Sequence, residues 1–331
     1  MTTTFSRRCF LATTSAIGMS SLVGRRVNAD STGADTDGTP VHEMTYTEAK
    51  TFDWRFGMSL RTPVTFTNGL GTFSIPMDWP EQTIQVTSRD VSSAVTHLQF
   101  RDLNNSVRQV VMGMPRVTAN SSVEVMLGVR VEKRDIIAPS DPSSLMIPKR
   151  ISREMRNYMG NSPNIDASHG RIRALSRELE SQSPGSAWQT VRLIYDTVRE
   201  RVRYVEGDIR RASDALNDGE GDCEDMTSLF VALCRNAGVP ARMVWIPGHC
   251  YPEFYLESST GGETTGHWFP CQAAGSELFG EMQEDRPILQ KGDRFKVPEE
   301  RKVARYVTEF FRCDRRGNGS PSIRFVREPA L

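Results

Sequence analysis

The sequence carries no surplus of charge: 41 Lys and Arg stand against 41 Asp and Glu. That balance excludes the broad positive field that draws a chain to nucleic acid or to an anionic membrane. The chain also lacks any apolar run long enough to cross ~30 Å of hydrocarbon. Cysteine is scarce, six residues in all, and no two stand in the C-x2-C spacing from which structural zinc sites take their ligand pairs. There is no internal repeat, so solenoid architectures drop out. What remains, with 38% hydrophobic and 25% charged residues over 331 positions, is a globular protein long enough for two domains.

The N-terminus reads as an address rather than as part of a fold. Arg7 and Arg8 precede a mildly apolar stretch from Phe10 to Gly24, and Val27-Asn28-Ala29 offers a small-residue cleavage site. Ser6, Arg7, Arg8, Phe10 and Leu11 form an SRRxFL string similar to twin-arginine signals, which export cargo already folded. Residues 1–29 are therefore expected to be a signal peptide. The mature protein is expected in the periplasm or cell envelope, without a stable membrane span. Cys9 would leave with the signal. Five cysteines would stay, an odd number, so at least one free thiol is expected in an oxidising compartment.

Residues 30–48 are polar and rich in turn formers, and they read as a linker. Over 49–135 the periodicity is two. Val123, Val125, Leu127, Val129 and Val131 alternate with Glu124, Arg130 and Glu132, which predicts a half-buried strand. Val64 and Phe66, then Asn68-Gly69, then Phe73 and Ile75 suggest a hairpin with its turn at Asn68. An antiparallel, sandwich-like accessory domain is expected.

The Pro- and Ser-rich segment around 136–148 opens a second linker, taken as 136–164. Helical spacing follows. Ser186 and Gln189 form a capping pair ahead of Val191, Ile194, Tyr195 and Val198. In "GDCEDMTSLFVALCRNAGVPAR" Asp222 is a natural N-cap, Asp225 can reach back to it, and Gly238 with Pro240 stops the helix. Cys223 then falls at the first helical position. Unpaired amides and the macrodipole favour a thiolate there, while Glu224 and Asp225 oppose it. On that evidence Cys223 is either a structural thiol or a nucleophile, whereas Cys234, in mid-helix, reads as core. Two strands joined at Pro247-Gly248 follow. Alternation puts His249 and Tyr251 on one face and Cys250 on the other, so Cys250 is not expected to share a site with His249.

The G-x-C-x-D string with its apolar helix, then "HCYPEFYL" and "HWFP", resembles the transglutaminase-like superfamily, relatives of the papain fold with a Cys–His–Asp site. The similarity spans roughly residues 165–290. It implies an α+β protein: a papain-like transglutaminase core over 165–298, preceded by the sandwich-like domain and followed by a C-terminal extension, 299–331. Carried over by position, Cys223 matches the nucleophile and His249 the base. Gln272 stands where the family has Asp. A carboxylate both fixes an imidazole tautomer and stabilises its cation; an amide does only the first. Glu253, two pleats along the same face, is an alternative acid near His249 or a structural one.

The resemblance implies a thiol-dependent acyl-transfer or hydrolytic enzyme acting on a peptide or side-chain amide through a thioester, with protein or peptide as substrate and no metal or cofactor. The other reading keeps the fold as a non-catalytic binding or scaffold protein. Two further alternatives concern the cysteines: a zinc site from His249, Cys250, His267 and Cys271, and a Cys250–Cys271 disulfide. The basic segment from Lys291 to Tyr306 reads as a solvated surface helix or as a rim of the site. From Lys302 onward the tail has an irregular end.

Overall fold

The computed structural model describes residues 44–330 apart from 184, 261 and 316. The expected signal peptide and most of the 30–48 linker lie outside the described residues. Eight strands come first: β1 (Thr45–Tyr46), β2 (Lys50–Thr62), β3 (Phe66–Ile75), β4 (Gln82–Val91), β5 (His97–Leu103), β6 (Val107–Val117), β7 (Ser121–Lys133) and β8 (Ile136–Ile137). The helical part holds α1 (Gly170–Gln182), α2 (Ala187–Arg201), β9 (Arg203–Tyr204), α3 (Ala212–Asp218), β10 (Glu220–Gly221) and α4 (Cys223–Asn236). It is followed by β11 (Ala241–Ile246), β12 (His249–Thr260), β13 (Glu263–Pro270), β14 (Gln290–Lys291), β15 (Phe310–Arg315) and β16 (Ser322–Pro329). The fold is α+β with mostly antiparallel sheets.

Strand β7 pairs with β2 on one side and β4 on the other, and β16 extends that sheet beyond β2. The alternation read in the sequence decides which face turns inward. Val123, Val125, Leu127, Val129 and Val131 are almost wholly buried, and they meet Phe66 and Phe73 of β3 and Val110 and Met112 of β6. Two sheets thus share one apolar core, a sandwich.

Two sequence expectations change here. Asn68-Gly69 does not turn a hairpin: β3 runs straight through it. The register against β6 is unbroken, but against β15 it shifts at this point: Leu70 faces Arg312 and Thr67 faces Asp314, three residues of β3 for two of β15. Asn68, at φ +52°, supplies the left-handed residue of this bulge. Its side chain donates to Asp314 Oδ2 at 2.8 Å. An Asn-Gly pair signals a positive-φ position, and either a turn or a bulge can use it. The residues from 302 onward are no loose tail either, because β15 pairs with β3 and β16 with β2, so the C-terminus closes the sandwich.

The core of the second half forms around α4. Helices α1, α2 and α3 pack against it from one side and β11 and β12 from the other. Every residue of α4 from Cys223 to Arg235 is therefore buried, including its polar ones. The Arg235 side chain is fully buried, and its Nη2 donates to both Asp293 carboxylate oxygens, at 2.9 and 2.8 Å. Strand β14 joins β11 to β6, so the sheet β13-β12-β11 continues into the sandwich as one eight-stranded sheet. The expected linkers are partly built in as well: β1 pairs with β8, and Met146 bonds with Glu257 of β12.

Candidate active site

The site starts with the entry to α4. Asp222 Oδ1 accepts from the amides of Glu224 (2.8 Å) and Asp225 (3.0 Å), and the Asp225 carboxylate takes the Asp222 amide at 3.3 Å. This reciprocal cap fixes the first turn and hence the direction in which Cys223 leaves it. Gly221 is required beside it, since a Cβ there would lie 2.8 Å from the Asp225 Cβ. The acids flanking Cys223 are each met by an arginine. Asp225 accepts from the Arg210 amide at 2.9 Å and faces its guanidinium, and Glu224 is ion-paired with Arg305. Their opposition to a thiolate is thereby blunted. Burial pushes the Asp222 carboxyl up to about 6, against the pull of the amide it accepts from.

His249 opens β12 directly after the two-residue turn at Pro247-Gly248, where Gly248 adopts φ +74°. Gln272 lies two residues beyond β13. Its backbone is fixed by its amide bond to Leu278 O (2.9 Å) and by Arg199, which donates to its carbonyl at 3.0 Å. So placed, Gln272 Oε1 sits 3.0 Å from His249 Nε2, while its amide nitrogen donates to Met282 Sδ at 3.6 Å. With Nε2 held by an acceptor, Nδ1 is the nitrogen left to exchange a proton with Cys223, to which His249 is hydrogen-bonded. The structure brings Cys223, His249 and Gln272 together.

The electrostatics follow from these contacts. The Cys223 thiol is lowered to about 4, first by a hydrogen bond from the Cys250 thiol, with burial opposing, and then by the bond to His249 and its charge. Burial pulls the His249 imidazole down, but the Cys223 bond and charge and the Gln272 bond outweigh it and raise it above its ordinary value. Cys223 and His249 therefore favour the thiolate–imidazolium form.

Cys250 departs from the sequence reading, since it reaches the same sulfur as His249. Alternation holds in the strand: Cys250 faces α4, with its Sγ 3.9 Å from Thr227 Oγ1, while Tyr251 packs with Val244 and Ile246 in a separate cluster. Cys223 lies at the start of α4 and over the start of β12. Cys250 approaches it from the sheet face and His249 from the strand end. Alternation sorts faces within a strand; it does not separate neighbours at its tip.

Glu253 lies away from the site. It is buried and bonded to Arg242 (2.7 Å) and Lys291 (2.6 Å). All five described cysteines are free thiols. Cys271 bonds to Pro252 in β12, not to the Cys250 position, so that disulfide is not formed. The zinc alternative does not assemble either. His267 bonds Ser258 Oγ at 3.2 Å, and among the described residues no three acidic, His or Cys side chains gather around a metal-sized space. The segment from Lys291 to Tyr306 is not helical. It folds irregularly around buried Phe295 and Val297 and delivers Arg305 to Glu224.

Residues 173–273 match the model of the transglutaminase-like superfamily, a span that contains Cys223, His249 and Gln272. A solved structure named "Putative Cysteine Protease from Cytophaga hutchinsonii" is similar at 17% identity and a TM-score of 0.57, covering 86% of this chain and 92% of that one. A second, a protease by name, from Parabacteroides distasonis, is 10% identical with a TM-score of 0.27, covering 71% of this chain and 48% of the other. No curated protein matches the chain. Among the described residues no helix is long and apolar enough to cross a membrane. Residues 173–273 are thus similar to a transglutaminase-like superfamily domain, and the α+β fold is shared with the Cytophaga structure.

Proposed function

We propose that the protein is an exported thiol-dependent enzyme that cleaves or transfers an acyl group from a peptide or side-chain amide of a protein substrate. The observation that carries this reading is the line Cys223–His249–Gln272, with His249 Nε2 3.0 Å from Gln272 Oε1 and its other face on Cys223. The Cys223 thiolate adds to the amide carbon and the carbonyl oxygen takes the negative charge. Imidazolium His249 then gives its Nδ1 proton to the leaving nitrogen, the C–N bond breaks, and an acyl thioester remains on Cys223. Water or an amine attacks that thioester while neutral His249 takes the proton, and the thiolate leaves. The amides of Glu224 and Asp225 are occupied by Asp222. The oxyanion role thus falls to the Cys223 amide, which at the first helical position has no intrahelical carbonyl. Gln272 holds the imidazole in the productive tautomer.

Incubation with denatured casein and a primary amine probe separates the outcomes. Peptide cleavage, ammonia release or amine incorporation that disappears in Cys223→Ala supports the reading and names the acceptor. Absence of all three favours the scaffold alternative. Export is tested with Arg7→Lys/Arg8→Lys, which should retain the protein in the cytoplasm.

A further inference from the structure

The Pro247-Gly248 turn that aims His249 is not of the kind hairpins favour. Proline is locked at negative φ and Gly248 has φ +74°, so the pair forms the centre of a type II turn. Two-residue hairpins prefer the primed turns, whose twist matches that of the strands. Types I and II differ by a flip of the peptide between their central residues. Here that peptide carries the Pro247 carbonyl, so the direction of this one group decides how the chain enters β12 at His249.

The carbonyl is held from outside the hairpin. Arg286 Nη1 donates to it at 3.2 Å, while Arg286 Nε and Nη2 donate to the two Glu284 oxygens at 2.8 and 2.6 Å. The Arg286 amide donates to the same carboxylate at 3.0 Å. The planar fork thus has one edge fixed on Glu284 and another N–H on the turn. The segment that bears it is fastened to the sandwich on both sides. Met282 exchanges two backbone bonds with Ile136 of β8, at 2.9 and 3.0 Å, and Ile288 bonds twice with the side chain of Gln82, which opens β4, at 2.7 and 3.1 Å. Lys133 of β7 donates to the Arg286 carbonyl itself. Met282 Sδ also accepts from the Gln272 amide. One segment, 282–288, therefore touches both the turn before His249 and the residue that orients its ring.

We propose that Arg286 is a positioning residue for acyl transfer: by clamping the Pro247 carbonyl it sets where His249 stands against Cys223, on a strap that the β-sandwich holds in place. This rests on the acyl-transfer reading above, and it gives the sandwich a part in the chemistry. Charge cannot be the whole role of Arg286, since the same cation that favours the thiolate opposes the His249 imidazolium. Nor does that charge switch. Burial pulls the guanidinium down, but the Glu284 bond and the charges of Glu284 and Cys223 keep it above its ordinary value. What the reaction takes from Arg286 is the fixed direction of one N–H.

The test is the pH midpoint of iodoacetamide labelling at Cys223, read by peptide mapping in the full-length protein, in Arg286→Lys, in His249→Ala and in the double variant. Lysine keeps the charge but cannot hold a carboxylate edge and a carbonyl in one plane. With the clamp lost, the midpoint in Arg286→Lys should rise by about one pH unit, the worth of one hydrogen bond. The clamp acts through the base, so the same substitution should add nothing in the His249→Ala background. Glu284→Ala is the second variant: losing a negative charge alone would lower the midpoint, so the rise expected there reports lost position. A low parent midpoint that is unmoved in Arg286→Lys, or lowered in Glu284→Ala, overturns the proposal and leaves the acyl-transfer reading standing. An equal rise with and without His249 also overturns it, since Arg286 would then act on Cys223 directly. A parent midpoint near an ordinary thiol, ~8.5, overturns both.

Discussion

Gln272 Oε1 accepts from His249 Nε2 at 3.0 Å, so an amide occupies the orienting place next to the base. It reaches because Gln272 leaves the end of β13 on a backbone fixed by Arg199 and Leu278. Its NH2 group donates to Met282 Sδ, a weak acceptor. Replacement by Ala removes the acceptor, and the His249 midpoint should fall by roughly one pH unit, the value of about one hydrogen bond. Gln272→Glu should raise the His249 midpoint above the parent, because a carboxylate also stabilises the cation. An unchanged His249 midpoint in Gln272→Ala would remove Gln272 from the site.

The pairing also predicts how His249 titrates. Its raised value depends on Cys223, whose bond and charge outweigh the burial that lowers it. In histidine-selective NMR the ring should titrate above ~6.5 in the free protein and drop after Cys223 is alkylated, when burial, the Arg286 charge and Gln272 remain. Acyl transfer needs thiolate and imidazolium together. Its rate should rise as pH climbs through about 4 and fall as pH climbs through the His249 value. Equal ring titrations before and after alkylation would contradict the pair.

Lys291 ties the two halves together. It is 3% exposed on its side chain and lies 2.5 Å from Glu81 near the sandwich and 2.6 Å from Glu253 of β12. Glu253 in turn holds Arg242, which stacks 3.9 Å over the Trp268 ring. Lys291→Met strands the buried Glu81 while Glu253 keeps Arg242. Unfolding in urea should show a loss of about 3–5 kcal/mol; a neutral result would make the chain of charges dispensable.

Lys133 gives a pH signature. Burial lowers its amine from the ordinary range to about 8, and its Nζ donates to the Arg286 carbonyl at 2.5 Å. A depressed folded value means that the unfolded chain binds the extra proton between about 8 and ~10.4. Stability from this group is therefore full above that window and declines as pH falls through about 8. Lys133→Met should flatten the change in urea midpoint between pH 8 and 10; an unaltered slope would assign that change to other groups.

The sequence made the strands and the α4 helix start legible because local rules decide both. Alternating valines choose a face in β7, and Asp222 with Asp225 closes a cap within four residues. Cys223 and His249 were legible through that cap, the hairpin turn and the family resemblance. The contributions missed were those set by distant pairing. Arg305 meets Glu224 across 81 positions, and Cys250 reaches Cys223 because a helix start overlies a strand start. Asn68 misled because a positive-φ residue serves a bulge as well as a turn. The C-terminal strands were missed because their partners, β2 and β3, lie some 250 residues earlier.

Cys223 is a thiolate because His249 and its neighbours make it one. The first measurement is the rate of iodoacetamide labelling at Cys223 against pH, in the protein and in His249→Ala. Labelling should be fast at neutral pH with a midpoint far below an ordinary thiol, at about 4, and the midpoint should shift clearly upward in the variant. A midpoint near ~8.5 in both proteins would contradict it and leave the domain a scaffold.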